Sequence, residues 1–341
     1  MNNYFGGKDM KKKIAIGVIL AFSAVVLYGV LYGYSFLNKI NRGKLPKSEE
    51  ELGIKEPENK DKGNSKAEKD NKIKENKDDI TNIAFFGLDA RKKGENTRSD
   101  VIMVLSIDRK NNKIKVSSIM RDLYVDIPGK GKNKINAAYA FGGAPLAVKT
   151  LNTLFDLNIR NYVTVDFFGM EKLIDKIGGV DVNIKESEIK SLNDCLAELN
   201  ILNGDEADYN FIKEPGIKRL TGRQAVAYSR IRYAGNADYE RTERQRKVLN
   251  DIYKKVKAQG ITKLTGTLSE ILPYVETSLS NNEIIGLAFD VIKINSENLD
   301  EYRIPVDGCY KPEILTNGMQ VLIPDIPLNK AKLHEFIYET K

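Results

Sequence analysis

One uncharged run near the start of the chain limits everything that follows. Ile14 to Leu37 contains no charged side chain. At 1.5 Å per residue these ~24 residues reach ~36 Å as a helix, enough to span a bilayer with some tilt. Tyr28, Tyr32 and Tyr34 sit toward its far end, where an interfacial belt belongs. The run is too long for the apolar core of a cleaved signal, and no small-x-small site interrupts it. It therefore reads as one transmembrane helix. Lys8, Lys11, Lys12 and Lys13 precede it and favour a cytoplasmic N-terminus, against the weaker pull of Lys39, Arg42, Lys44 and Lys47 beyond it.

Four segments follow from that reading: a cytoplasmic tail 1–13, an anchor 14–37, a flexible extracytoplasmic linker 38–79, and one folded domain 80–341. Lys47 to Asp79 has no aromatic residue and is dense in Lys, Glu, Asp and Asn, so it cannot bury a core. The last ~260 residues suit one α/β domain. The chain is expected in the cell membrane, single-pass, with this domain outside. A net charge of +7 with interspersed signs argues against nucleic acid as a ligand.

The residue inventory excludes much chemistry. The single histidine, His334, is expected on the surface of a terminal helix, and a lone histidine rules out Ser–His–Asp, Cys–His and multi-histidine zinc sites. Cys195 and Cys309 have no metal-site spacing and are open to bridging in an oxidising compartment. Gly142-Gly143 and Gly178-Gly179 read as turns, and there is no Walker-type phosphate loop.

What remains is arginine. Seven of the 14 arginines lie between Arg219 and Arg246. The guanidinium fork donates paired hydrogen bonds to phosphate and keeps its charge. On a helix from Asp238 to Gln259, Val248, Leu249, Ile252 and Val256 form an apolar stripe. Carried back by whole turns, that stripe runs through Gln245 and Arg241. Both therefore point inward, and an inward arginine needs an anion, either a ligand or a buried carboxylate. Arg246, Lys247 and Lys254 read as solvated.

Three strands carry the other charges. Asn82–Leu88 ends at Asp89. Val101–Ile107 begins after Thr97-Arg98-Ser99-Asp100. Ile114–Ile119, across a turn at 108–112, ends at Arg121 and Asp122. Antiparallel pairing gathers Asp89, Arg98, Asp100 and Arg121 at one sheet edge. Two carboxylates without histidine suit a hard ion, Mg²⁺ or Mn²⁺, with phosphate oxygens completing the shell. Thr221 and Gln224 have capping-box spacing and start a short helix near Gly222. If the chain is extended after it, Arg230 and Arg232 share one face.

These pieces resemble the LytR–CpsA–Psr family of cell-wall glycopolymer ligases. The matching segments are FFGLDAR (85–91), TRSD (97–100), SIMRD (118–122), KINAAYAFGG (134–143), IGGVDV (177–182), LTGRQAVAYSRIR (220–232) and RTERQRKVL (241–249). They occur in the family's order. Met120 stands where the family usually has proline. The resemblance implies a three-layer α/β/α sandwich around a mixed central sheet, with a polyprenyl-pyrophosphate pocket. It implies Asp89 and Asp100 as Mg²⁺ ligands. It implies Arg98, Arg121, Arg230, Arg232, Arg241 and Gln245 as the groups that hold or polarise the pyrophosphate. The implied reaction moves a secondary-wall or capsular glycopolymer from its polyprenyl-pyrophosphate carrier onto a peptidoglycan hydroxyl. Asp122 is a candidate proton acceptor or a structural partner of Arg121. The helices Ala137–Phe155 and 167–177 are candidate walls for the prenyl chain. A hydrolase of the same substrate and a non-catalytic polyprenyl-phosphate-binding regulator are the alternatives. The regulator would need the arginines but not both carboxylates.

Overall fold

The computed structural model describes residues 37–55, 79–88, 97–232, 238–259 and 270–339. The expected span 14–37 lies outside these residues apart from Leu37, and no described helix is long and apolar enough to cross a membrane.

The core element is a sheet of seven described strands in the order β1-β10-β7-β2-β3-β4-β11. Here β1 is Asn41–Arg42, β2 Ile80–Leu88, β3 Ser99–Asp108, β4 Lys113–Ile119, β7 Asn161–Asp166, β10 Val275–Thr277 and β11 Asp300–Ile304. β3 runs antiparallel to both β2 and β4, as expected, while β7 and β11 join in parallel to β2 and β4. The sheet is therefore mixed. Both faces of the central strands are covered, which explains their near-continuous apolar sequences. Ala84, Phe86, Ile102 and Val104 belong to one core, and Ile83 and Met103 to another. Alternate residues on a strand face opposite sides, so these cores lie on opposite faces of the sheet.

The first face carries α1 (Ala137–Phe155) and the C-terminal α7 (Ile326–Tyr338). Gly142 and Gly143 kink α1 instead of ending it, Gly143 taking φ 63°. On α7, His334 is buried rather than on the surface, with its Nε2 2.7 Å from the Phe155 carbonyl at the end of α1.

The second face carries α5 (Asp238–Gln259) and α6 (Asn281–Lys293). Beyond α5, a third core joins α2 (Phe167–Lys176), α3 (Glu186–Leu202), α4 (Gly222–Arg230) and the hairpin of β8 (Val180–Ile184) with β9 (Gly216–Leu220). The capping box is present: Thr221 caps α4 and Gln224 answers it. Gly222 lets α4 sit against α2, since a Cβ there would lie 2.0 Å from the Glu171 carbonyl oxygen. A small hairpin of β5 (Tyr124–Ile127) with β6 (Gly131–Lys134) follows β4, and a last hairpin, β12 (Tyr310–Ile314) with β13 (Gln320–Pro324), joins the β4 end of the sheet through a Leu123–Leu322 bridge.

Part of the expected linker is folded. Asn41–Arg42 pair with β10, and buried Leu52 offers its carbonyl to Asn152 Nδ2 at 2.9 Å. Backbone pairing and a few aliphatic side chains anchor this stretch, despite the charged composition that marks 38–79 as a tether. Cys195 and Cys309 are both free thiols.

Candidate functional site

A cavity lies between the second sheet face and the helices α2, α4 and α5. Its space, counting the open mouth, is about 760 Å³. One part of its wall is apolar: Phe85, Met103, Met170, Ile174, Val248 and Ile252. The other carries Asp100, Arg230, Arg232, Arg241 and Gln245.

Each charged group is placed by a local device. A bulge at Gly87/Leu88 breaks the β2–β3 register, pairing Gly87 with Val101 and Leu88 with Ser99. Asp100 is the extra residue. It can therefore turn into the cavity beside Val101, although the two are neighbours in sequence. Arg121, just beyond β4, donates from Nη1 to Asp100 Oδ1 at 2.7 Å, and Arg232 from Nη2 to Oδ2 at 3.3 Å. Burial pushes the Asp100 pKa up, but the opposing fields of Arg121, Arg241 and Arg232 prevail and hold it below the ordinary carboxylate value. Asp100 is thus an anion set among three cations.

Arg241 is 3% exposed and lies on the cavity face of α5, one turn before Gln245, as the stripe predicts. Gln245 Nε2 donates to the Ser229 carbonyl at 3.4 Å. Arg230 closes α4, its guanidinium 5.2 Å above the Phe167 ring and 3.3 Å from Glu198 Oε2. The extended geometry expected for Arg230 and Arg232 does not hold, because α4 runs through Arg230. Both still reach the cavity, since the chain leaves the helix at buried Ile231.

Other expected residues lie outside the cavity. Arg98, just before β3, is exposed and does not line the cavity. Asp122 does not line it either. It lies 2.5 Å from Lys134 Nζ and 3.5 Å from Arg121 Nε, the placement of a group that positions Arg121. The helix Ala137–Phe155 is no wall of this cavity. It packs on the opposite sheet face between the strands, α7 and the folded N-terminal stretch, which accounts for its excess apolar surface. The helix at 167–177 does form a wall, as α2. Asp89 lies outside the described residues.

Sequence reasoning missed two residues. Asp166 lines the cavity while capping α2, its carboxylate accepting from Gly169 N at 2.8 Å. Arg244 is the buried arginine–carboxylate pair. It is 2% exposed, 3.0 Å from Glu188 Oε1 and 3.2 Å from Glu240 Oε2, and donates to the Ile231 carbonyl at 2.9 Å. The remaining arginines of the run are also held by carboxylates: Arg219 by Asp181, Arg223 by Asp205, Arg246 by Glu301.

Asp100 offers ionised oxygen, the donor a hard divalent ion prefers. Among the described residues no group of three acidic, histidine or cysteine side chains could hold a metal alone. An ion bound here would share Asp100 with the arginines.

Known proteins supply the context. A polyisoprenyl-teichoic acid–peptidoglycan teichoic acid transferase, TagU of Bacillus cereus, is 31% identical over 302 residues, covering 88% of this chain and 90% of TagU. A protein named regulatory protein MsrR of Staphylococcus aureus is 31% identical over 262 residues, 75% of this chain and 74% of its own. A solved structure of YwtF (TagT), with bound octaprenyl pyrophosphate lipid, superposes with a TM-score of 0.59 at 22% identity, over 86% of this chain and 99% of that one. The model of the LytR_cpsA_psr family matches residues 51–335, and the chain belongs to that family.

Proposed function

We propose that this protein is a membrane-anchored phosphotransferase. It moves a secondary cell-wall glycopolymer, teichoic-acid-like or capsular, from a polyprenyl-pyrophosphate carrier onto peptidoglycan. The observation that carries the reading is the two-part cavity: three arginines at one part of the wall and apolar side chains at the other. That is the complement of an amphiphile with a diphosphate head and a prenyl tail. The names of the TagU relatives agree with it.

The residues divide the work. Arg230, Arg232 and Arg241 meet the pyrophosphate oxygens, where charge accumulates as the phosphorus–oxygen bond to the leaving polyprenyl phosphate breaks. Gln245 orients the head group. Arg121 holds Asp100 in place, and Asp122 with Lys134 holds Arg121. Arg98, exposed beside β3, is available to the glycan-side phosphate. The apolar wall retains the tail and excludes water, which favours a sugar hydroxyl over hydrolysis as the attacking group. The hydroxyl oxygen bonds to the glycan-side phosphorus, the bond from that phosphorus to the bridging oxygen breaks, and polyprenyl phosphate departs with that oxygen and takes up the hydroxyl proton. Asp89 and Asp100 would hold one Mg²⁺ or Mn²⁺, which would neutralise phosphate charge. The anchor is the 14–37 span, with the N-terminus cytoplasmic and the domain outside.

Arg241→Ala tests the site. Transfer of labelled glycopolymer should fall by roughly 10²–10³-fold, the scale for removing one preorganised donor, with folding retained. Normal transfer by a folded variant would exclude Arg241 from the reaction.

A further inference from the structure

The helix α6 has no buried residue, yet it is apolar on two sides. Leu287, Val291 and Ile294 turn toward the sheet core. On the other side, Ile285, Phe289 and Ile292 follow at spacings of four and three and form an outward stripe. Phe289 is 55% exposed and Ile292 49%. The two acidic residues of the helix are engaged: Glu283 in the cap with Ser280, and Asp290 with Arg109 at 2.7 Å.

What lies beside this helix gives the stripe a meaning. Asn38, the residue after the uncharged run 14–37, accepts from Asn281 Nδ2 at 3.3 Å, at the start of α6. Arg42 bonds to the Leu279 carbonyl and to Asn281 Oδ1. The chain therefore arrives at the domain at the N-terminal end of α6. Arg109 ties the helix to Thr81 as well as to Asp290, and Glu283 accepts from Asn161. Thr81 and Asn161 lie at the starts of β2 and β7. Asp100 and the cavity arginines lie at the other end of β2. Gly87 lies six positions after Thr81, about 20 Å along the strand. Lys39, Lys44 and Lys293 are exposed around the same helix.

We propose that the outward face of α6 rests in the headgroup region of the bilayer, with Ile285, Phe289 and Ile292 entering its apolar boundary. This rests on the anchored reading above. It sets the domain with the head-group site away from the membrane and the strand starts toward it. A prenyl tail then extends from the arginines toward its own bilayer. The exposed lysines meet anionic headgroups.

The chain has no tryptophan, so a single introduced one reports without background. Full-length protein carrying Phe289→Trp would be reconstituted in phosphatidylglycerol-containing liposomes, with or without brominated acyl chains. Ile314→Trp is the comparison: Ile314 is 68% exposed on the β12–β13 hairpin at the far end of the strands. The Phe289→Trp emission should shift to the blue and lose roughly half or more of its intensity to the brominated lipid, the Ile314→Trp emission almost none. Protein that floats with the liposomes while its Phe289→Trp emission stays solvent-like overturns the contact and leaves the anchor standing. A blue shift that depends on protein density and not on bromination assigns α6 to a second copy, and also overturns it. Protein that does not float with the liposomes overturns the anchor itself.

Discussion

Arg244 and Arg241 are both buried on α5, but removing Arg244 should cost stability that removing Arg241 does not. Arg244→Ala deletes the partner of Glu188, whose carboxylate is as buried as the guanidinium it faces. Stranding such a charge costs about 3–5 kcal/mol. The lost bond to the Ile231 carbonyl adds about 1 kcal/mol. At about 2–4 °C per kcal/mol, melting should fall by roughly 8–24 °C. Ile231 lies between Arg230 and Arg232, so loosening it should also lower transfer by roughly tenfold or more, measured well below the melting point. Glu188 Oε2 also accepts from Lys185 N at 2.9 Å, so Glu188→Gln keeps an acceptor for that cap while removing the charge. Combining Arg244→Met with Glu188→Gln should recover at least half of the lost stability. Thermal melts and transfer assays on the same preparations check this. An Arg244→Ala protein that melts like the parent, or a double variant no better than the single one, would refute the buried-pair argument.

Three further outcomes are expected. Burial raises the Glu171 pKa to about 6, against the pull of Arg223; its contribution to stability is therefore present below the ordinary 4.5 and lost as pH rises through 6. Denaturant titrations should show Glu171→Gln flattening that decline and gaining stability at neutral pH. Met170→Trp narrows the apolar part of the cavity and should weaken binding of long prenyl pyrophosphates more than short ones, by calorimetry. Asp100→Asn should lose transfer by about 10²-fold or more while still melting cooperatively; parent enzyme should stall in chelator and recover with Mg²⁺ or Mn²⁺.

Much of this site is legible in the sequence because its signals are local. The strands reveal themselves by apolar runs, the α4 cap by a four-residue box, and the inward Arg241 and Gln245 by extension of one stripe. The missed features depend on distant partners. Arg244 is buried because α5 is covered on a second side, by Glu188 of α3, 56 positions away. The turn of Asp100 into the cavity depends on a bulge set by the β2–β3 register. The fate of 38–55 depends on pairing with β10, more than 230 residues later, which composition does not record.

The most direct test uses purified full-length protein, a polyprenyl-pyrophosphate-linked glycopolymer labelled in its sugar, and peptidoglycan acceptor. Mass spectrometry of the muropeptides would follow. A transferase should leave label joined to peptidoglycan through a phosphodiester, with polyprenyl phosphate released in equal amount and both lost in Arg241→Ala. Label released only as free phosphorylated polymer would make the protein a hydrolase, and intact carrier retained without turnover would make it a binding protein.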